Sequence, residues 1–578
     1  MKQILRKTAV LLVLAALLLS PQSALAAGYE AVVPQYSYDD SAAAPVPADA
    51  SSRYVRKDGI YTRPDAESTG EAVLMITGDL MCQYRQQNAA FISSGKDYIS
   101  AEEYQTLLEQ AIKKQAQAVA EQTAGITDSA DAAVTGTADG TDDAMIPSLT
   151  ETPVDVPPLD LGVIPQPEGT WDFRESFQYA RQILRKGDLV IGNLETMVSQ
   201  SSPLGMQIHR LEGKPYLNAP ASYLDALKYA GYDLLTMANN HNVDTGLRGI
   251  RETLQNVENW NFMHTGLFSS EEEDRYLLVE VNGIRIGIVS YASYFNEKDS
   301  NLTAEGQNVL LNRYGMDRAK ADIRAAKKAG AEFILAFIHW GAENTHETTW
   351  NQEQYARTLA RAGADYIVGS HPHALQRYDI IETSDGREVP VIYSMGNFLS
   401  SMQRDINNDT LILQLNLERD EEGIVRVVSH RIFPCAVLES VTLKSAADAS
   451  SDASLSGAGA SVDASLSDSS SSGPSAASSA SSAGAASAGT RTASYVIVPQ
   501  QEAYRSRVDT SSQAGRENLK FLDSSLARTL DVFSGRTVLP LPYDPYDVEG
   551  DEPSAPLLSP KGAANHLHWI LSNAAARS

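Results

Sequence analysis

The sequence predicts an α/β fold, a β-sheet core with helices packed on its faces. Three observations carry the prediction. Short apolar runs of strand length alternate with longer stretches of helical period. The order strand, helix, strand repeats along the chain, as expected of a sheet covered by helices. Hydrophobic residues make up 43% of the 578 residues, enough for a sizeable core, and they thin out in two long tracts.

In order, the strand-like runs are residues 73–76, 189–191, 234–237, 284–290, 333–338, 366–368 and 391–393. Between them lie amphipathic stretches at 221–230, 247–260, 317–329 and 352–362, the last with Tyr355, Leu359 and Ala362 at helical spacing. The core domain spans 71–440. Residues 1–27 read as a Sec-type signal: Lys2, Arg6 and Lys7 precede an apolar run at 9–19, and Ala24-Leu25-Ala26 forms a cleavage site. That run is shorter than the roughly 20 residues that cross a bilayer, so cleavage and an extracytoplasmic location are expected. Residues 28–70 lack periodicity and read as an exposed leader, with structure starting near Glu71.

Within the domain, residues 115–170 carry no Lys or Arg and accumulate Thr, Ala, Asp and Pro, the composition of a disordered acidic insertion. Residues 445–490 are nearly all Ser, Ala, Gly and Asp, a flexible linker. The final segment, 494–578, regains apolar residues, with a helix expected at 517–526 that could dock on the core. A net charge of -26, from 47 Lys+Arg against 73 Asp+Glu, disfavours nucleic acid as a partner. Only Cys82 and Cys435 are present, so the core and not a disulfide framework holds the fold.

The residues just past each strand carry the chemistry. The first run leads into Gly78-Asp79, the second into Asn193-Leu194-Glu195, and the third into Asn239-Asn240-His241. The run at 333–338 leads into His339, and the run at 366–368 into Ser370-His371-Pro372-His373. In an open α/β sheet such loops converge on one crevice. Two carboxylates, an amide and four imidazoles would then meet, the character of a divalent transition-metal site for one or two ions of the Mn, Fe or Zn class. Two ions roughly 3.5–4 Å apart could clamp the attacking and leaving oxygens of an ester. A proline between His371 and His373 is expected to hold both in extended backbone. Taken singly, a histidine after a strand is most often a hydrogen-bonded loop residue. Four of the ten histidines at strand ends beside Asp79 and Glu195 favour a site. Cys82 lies near Asp79, but a small buried thiol is the simpler reading.

These motifs, together with Asp244 and Gly246, Trp340-Gly341 with Glu343, and Tyr393-Ser394-Met395-Gly396-Asn397-Phe398, closely resemble the CapA family of poly-γ-glutamate capsule synthesis proteins over about residues 71–433. The resemblance implies a metallophosphoesterase-like layered β-sheet core flanked by helices. Carried over by position, Asp79, Glu195, Asn240, His339, His371 and His373 would be metal ligands. His241 would stand where the related phosphoesterases protonate a leaving group, with Asp244 orienting it. The usual D-x-H becomes Asp79-Leu80-Met81, which removes one imidazole, and the usual G-D becomes Asn193-Leu194-Glu195. The function implied is extracytoplasmic synthesis, export or surface handling of poly-γ-glutamate or a similar polyanion, with a membrane-bound synthesis complex as an implied partner. The alternative is a secreted metal-dependent hydrolase of phosphoesters or envelope amides. A non-enzymatic scaffold spaced from the wall by the linker explains 445–490 but not the ligand cluster.

Overall fold

In chain order the strands are β1 (Val55–Lys57), β2 (Ile60–Thr62), β3 (Glu71–Leu80), β4 (Phe91–Ser93), β5 (Gly169–Trp171), β6 (Leu189–Leu194), β7 (Leu234–Thr236), β8 (Met263–Thr265) and β9 (Leu277–Val281). They continue as β10 (Ile284–Ala292), β11 (Phe333–His339), β12 (Tyr366–Ser370), β13 (Leu375–Glu382), β14 (Glu388–Met395), β15 (Asn397–Leu399), β16 (Asp409–Arg419), β17 (Val425–Leu443) and β18 (Arg491–Pro499). This computed structural model describes residues 52–93, 105–107, 109–114, 116–117, 166, 169–213, 215–443 and 491–534. The signal at 1–27, the first part of the leader, nearly all of the 115–170 insertion, the 445–490 linker and the tail beyond 534 lie outside the described residues.

Two large sheets form the core. One has the order β1-β2-β9-β10-β11-β12-β14-β13; the other runs β18-β17-β16-β3-β6-β7-β8, with β15 added beside β3. The strands that matter for the site are parallel: β3, β6, β7 and β8 in one sheet, and β10, β11, β12 and β14 in the other. Side chains alternate across each strand, which decides the layering. Leu74, Ile76, Leu189, Ile191 and Leu234 face Ile286, Ile288, Leu335 and Phe337 between the sheets. The intervening Met75, Val190 and Leu235 face the helices Ser222–Ala230 and Gly246–Asn259. On the other side Ile334, Ala336 and Ile338 face Met316–Lys328 and Trp350–Ala362. Helix, sheet, sheet, helix is the resulting stack, the layered α/β architecture the sequence predicts. Strands buried on both faces explain why their sequences read as continuous apolar runs.

Local chemistry fixes where the elements begin. Thr349 caps the helix Trp350–Ala362 by accepting from the Gln352 main chain, and the Gln352 side chain accepts in return from the Thr349 N–H at 2.8 Å. The helix stops at Gly363, whose φ of +114° admits the left-handed turn.

Two expectations change. Structure does not wait for Glu71: β2 pairs in parallel with β9 through Ile60, Tyr61 and Thr62. Buried Tyr54 donates to the Asp188 carbonyl at 2.7 Å, and Arg53 donates to buried Asp233 at 2.9 Å. Part of the 28–70 leader is therefore a strap across the sheets, formed from strands of three residues each, too short to show a period. The described part of the C-terminal segment, up to residue 534, packs on the core, where the sequence left docking open. β18 pairs antiparallel with β17, and the helix Gln513–Ser534, longer than the expected 517–526, lies against β17, β16 and β13 with Leu522 and Phe533 buried.

Candidate metal centre

The parallel strands deliver the candidate ligands at their carboxyl ends. β3 closes on Asp79 and Leu80, β6 runs into Glu195, β7 into Asn240 and His241, β11 ends on His339, and β12 runs into His371 and His373. Gly78 makes this packing possible. A Cβ there would stand 2.0 Å from the Gly396 carbonyl, the same oxygen that accepts from the Asp79 N–H at 3.0 Å. Asp79, Glu195, Asn240, His241, Asp244, His339, His371 and His373 are all buried, and the fold brings them into one cluster.

Glu195 stands at its centre. Its Oε1 lies 3.7 Å from His339 Nε2, 3.9 Å from His373 Nε2 and 4.0 Å from His241 Nε2. Among the described residues neither carboxylate oxygen has a hydrogen-bond donor, although the side chain is fully buried. An uncompensated buried carboxylate is costly, and a cation is the usual remedy. Two ligand groups have their donor atoms within 4.8 Å of one another: Asp79, Glu195 and His339, and Glu195, His371 and His373. Donor atoms held about 2.0–2.2 Å from one ion stand about 3–4 Å apart, so both groups fit a divalent metal. Glu195 is common to both.

Hydrogen bonds around the cluster orient the ligands. Asp79 accepts from Asn193 Nδ2 at 2.6 Å and from the His371 N–H at 3.1 Å. His373 Nδ1 pairs with Asn397 Oδ1 at 2.8 Å, which leaves its Nε2 for Glu195 and an ion. His339 uses Nδ1 on Ser370 Oγ at 2.8 Å, and its Nε2 lies 2.9 Å from Asn240 Oδ1 and 3.1 Å from His371 Nδ1. His371 and His373 do not keep the extended backbone expected around Pro372. Their φ angles are +92° and +55°. The Asp79 contact to the His371 N–H and the Asn397 contact to the His373 ring hold these conformations, whose strain is about 1–3 kcal/mol each.

Burial sets the electrostatics. It pushes the Glu195 carboxyl well up, and the Asp79 charge pushes it further. It also raises Asp79, against the opposing pull of His373 and Asn193. The same burial drives His339 and His371 well below the ordinary imidazole value, with neighbouring imidazoles acting in the same direction. Neutral imidazoles are the form that binds metal.

His241 stands at the edge. Its Nδ1 pairs with Asp244 Oδ2 at 2.8 Å, and Asp244 also accepts from the Leu217 N–H at 2.8 Å and from Lys298 Nζ at 2.6 Å. Burial raises the Asp244 carboxyl, but His241 and Lys298 outweigh it and hold the group well below the usual carboxylate range. A carboxylate on Nδ1 fixes the ring and leaves Nε2 facing the cluster, the geometry of an oriented acid or base. Cys82 is a buried free thiol that burial pushes up in pKa, which agrees with its reading as a core residue.

Sequence reasoning passed over the loop after β10. Tyr294 there contacts His371 Nε2 through its hydroxyl, Asn296 accepts from Asn240 Nδ2 at 3.0 Å, and Lys298 holds Asp244. The rule that found the other ligands applies equally to this loop, since β10 is parallel to β11 and ends at the same edge.

Residues 73–402 match the family described as bacterial capsule synthesis protein PGA_cap. The chain belongs to that family. All six proposed ligands, with His241 and Asp244, fall within the matched span. Over 253 residues the chain is 26% identical to capsule biosynthesis protein CapA of Bacillus anthracis, covering 44% of this chain and 60% of that protein. It is 27% identical over 270 residues to the PGA biosynthesis protein CapA of Bacillus subtilis (strain 168), covering 45% of this chain and 67% of that one. The chain thus spans roughly three-fifths to two-thirds of the length of these relatives. Among solved structures, the calcineurin-like phosphoesterase YfkN from Bacillus subtilis aligns with 45% of this chain and 81% of its own, at 16% identity and a TM-score of 0.30.

Proposed function

We propose that this protein acts outside the cytoplasm in the synthesis, export or surface handling of a capsule polyanion, poly-γ-glutamate or a polymer like it, through a divalent metal centre. The observation that carries the reading is Glu195: a fully buried carboxylate with no hydrogen-bond donor among the described residues, ringed by imidazoles. Asp79, Asn240 and His339 would hold one ion, His371 and His373 a second, and Glu195 would serve both. Such ions, when bound, polarise a carbonyl or phosphoryl oxygen and lower the pKa of a water. A metal cation also relieves the repulsion between an acidic protein and an acidic polymer. The signal reading of residues 1–27 and the capsule-related names of the relatives support the location and the substrate class.

One observation favours a second reading, a secreted metal-dependent hydrolase of phosphoesters or envelope amides. The His241 ring is held by Asp244 with Nε2 turned toward the cluster, where it can pass a proton to a leaving group. Protein purified without chelator is expected to carry Mn, Fe or Zn by elemental analysis, and to bind poly-γ-glutamate more tightly with Mn or Zn than after chelation. Metal-free protein that takes up neither ion, or polymer binding absent under both conditions, refutes the first reading. Phosphodiester turnover that is the same in wild type, His241→Ala and Asp79→Ala removes the second.

A further inference from the structure

Strand β16 opens on Asp409, whose fully buried carboxylate is gripped by Arg528 of the C-terminal helix. Arg528 Nε donates to Oδ2 at 2.6 Å and Nη2 to Oδ1 at 2.7 Å. Two residues before Asp409, Asn407 donates from Nδ2 to the main-chain oxygen of His373 at 2.9 Å. The carbonyl of Asn407 accepts from Asn397 Nδ2 at 3.3 Å, and Asn397 Oδ1 is the atom that holds the His373 ring. Asn407, Asp409 and the helix all lie beyond the 73–402 span that matches the family.

His373, like His371, has a strained backbone, here at φ +55°, and such a residue keeps its conformation only where its surroundings over-determine it. Asn397 and Asn407 are those surroundings. Arg528 in turn fixes the short stretch that carries Asn407, because a two-point guanidinium clamp on a carboxylate sets direction as well as distance. Without the clamp, Asp409 would lose the two charged donors that compensate its burial, and the stretch from Asn407 to Asp409 would shift to rehydrate it.

We propose that the C-terminal helix is a positioning element of the metal centre, acting through Arg528, Asp409 and Asn407 on His373. The inference rests on the reading of Glu195, His371 and His373 as ligands of a divalent ion. Its test uses the full chain and Mn(II), with binding read by calorimetry, bound metal by elemental analysis and folding by thermal unfolding in chelator. Arg528→Ala is expected to weaken one of two Mn(II) equivalents at least tenfold while the other stays within about threefold of wild type. Arg528→Lys, which keeps the charge and loses the paired donors, is expected to recover part of that affinity. Asn518→Ala removes a docking contact of the same helix at its far end, to the Ser440 carbonyl at 2.8 Å, and is expected to leave both equivalents unchanged. Wild-type binding by a folded Arg528→Ala protein overturns the inference, as does an equal loss in Asn518→Ala. Should Arg528→Ala fail to fold, Arg528→Lys against Asn518→Ala carries the same comparison, and equal binding by those two overturns it. Wild-type protein that binds no Mn(II) at all sinks the metal reading itself, and this inference with it.

Discussion

Replacing Glu195 by Gln separates the cost of this residue from its use. In the metal-free protein its two buried oxygens have no hydrogen-bond donor among the described residues, and burial together with Asp79 disfavours the charge. Gln has the same shape and carries no charge. Each unsatisfied buried polar group costs about 1–3 kcal/mol, more when charged, so Glu195→Gln is expected to stabilise the metal-free protein by about 1–3 kcal/mol at neutral pH. The sign comes from linkage. A carboxyl raised above its unfolded value binds its proton more tightly when folded, so native stability falls as pH rises from the ordinary glutamate value through the folded one. The advantage of Gln is therefore full above the folded value and vanishes below about pH 4, where the carboxyl is protonated in both states. With metal the order reverses. A ligand at one hundred times its dissociation constant stabilises by about 2.7 kcal/mol, and the variant, lacking the carboxylate both ligand groups share, is expected to forgo most of that. Urea unfolding of both proteins, in chelator and in excess Mn(II), measures all four values. A variant less stable than wild type in chelator, or one gaining as much from Mn(II), would refute the account of Glu195.

Three further outcomes rest on the same geometry. On the hydrolase reading, His241→Ala is expected to lower phosphodiester turnover about 10²–10⁴-fold, the usual worth of a general acid, while the metal content by elemental analysis stays at the wild-type level. Asp244→Asn breaks a buried pair with Lys298 and His241 and is expected to cost about 3–5 kcal/mol at pH 7. Because the folded carboxyl is depressed, its contribution is full above the ordinary aspartate value and is lost progressively as pH falls from there through the folded one. Unfolding at pH 7 and pH 3 should accordingly show the deficit shrinking at the lower pH. Gly78→Ala places a methyl 2.0 Å from the Gly396 carbonyl and is expected to move Asp79 away from Asn193 and His371, lowering thermal stability and metal uptake together. An Ala variant with normal metal content would show that the β3 and β15 backbones can part without disturbing the ligands.

Much of the site is legible in the sequence because the strands that bear it are buried on both faces. Their runs are continuous, as in residues 189–191 and 333–338, and each ends abruptly where a ligand begins. The long hairpin of β16 and β17 escapes because its outer half alternates buried with half-buried residues next to polar ones, a weaker signal than an unbroken run. The loop after β10 is passed over for a chemical reason. It offers Tyr294, Asn296 and Lys298, which orient ligands, and no imidazole to draw attention. Nothing local could announce the Arg528 clamp, since its partner lies 119 residues away in sequence. The backbone of His371 and His373 departs from expectation because the bias imposed by Pro372 is small beside the contacts that Asp79, Asn397 and Asn407 make with them.

The strap at residues 53–62 gives the molecule a direction. Arg53 reaches Asp233 just ahead of β7, and Tyr54 reaches Asp188 just ahead of β6, so the chain enters at the amino ends of the strands whose carboxyl ends carry the ligands. The strap and the cluster therefore sit at opposite ends of the same strands, and a change at Arg53 or Tyr54 can reach the cluster only along the length of β6 and β7.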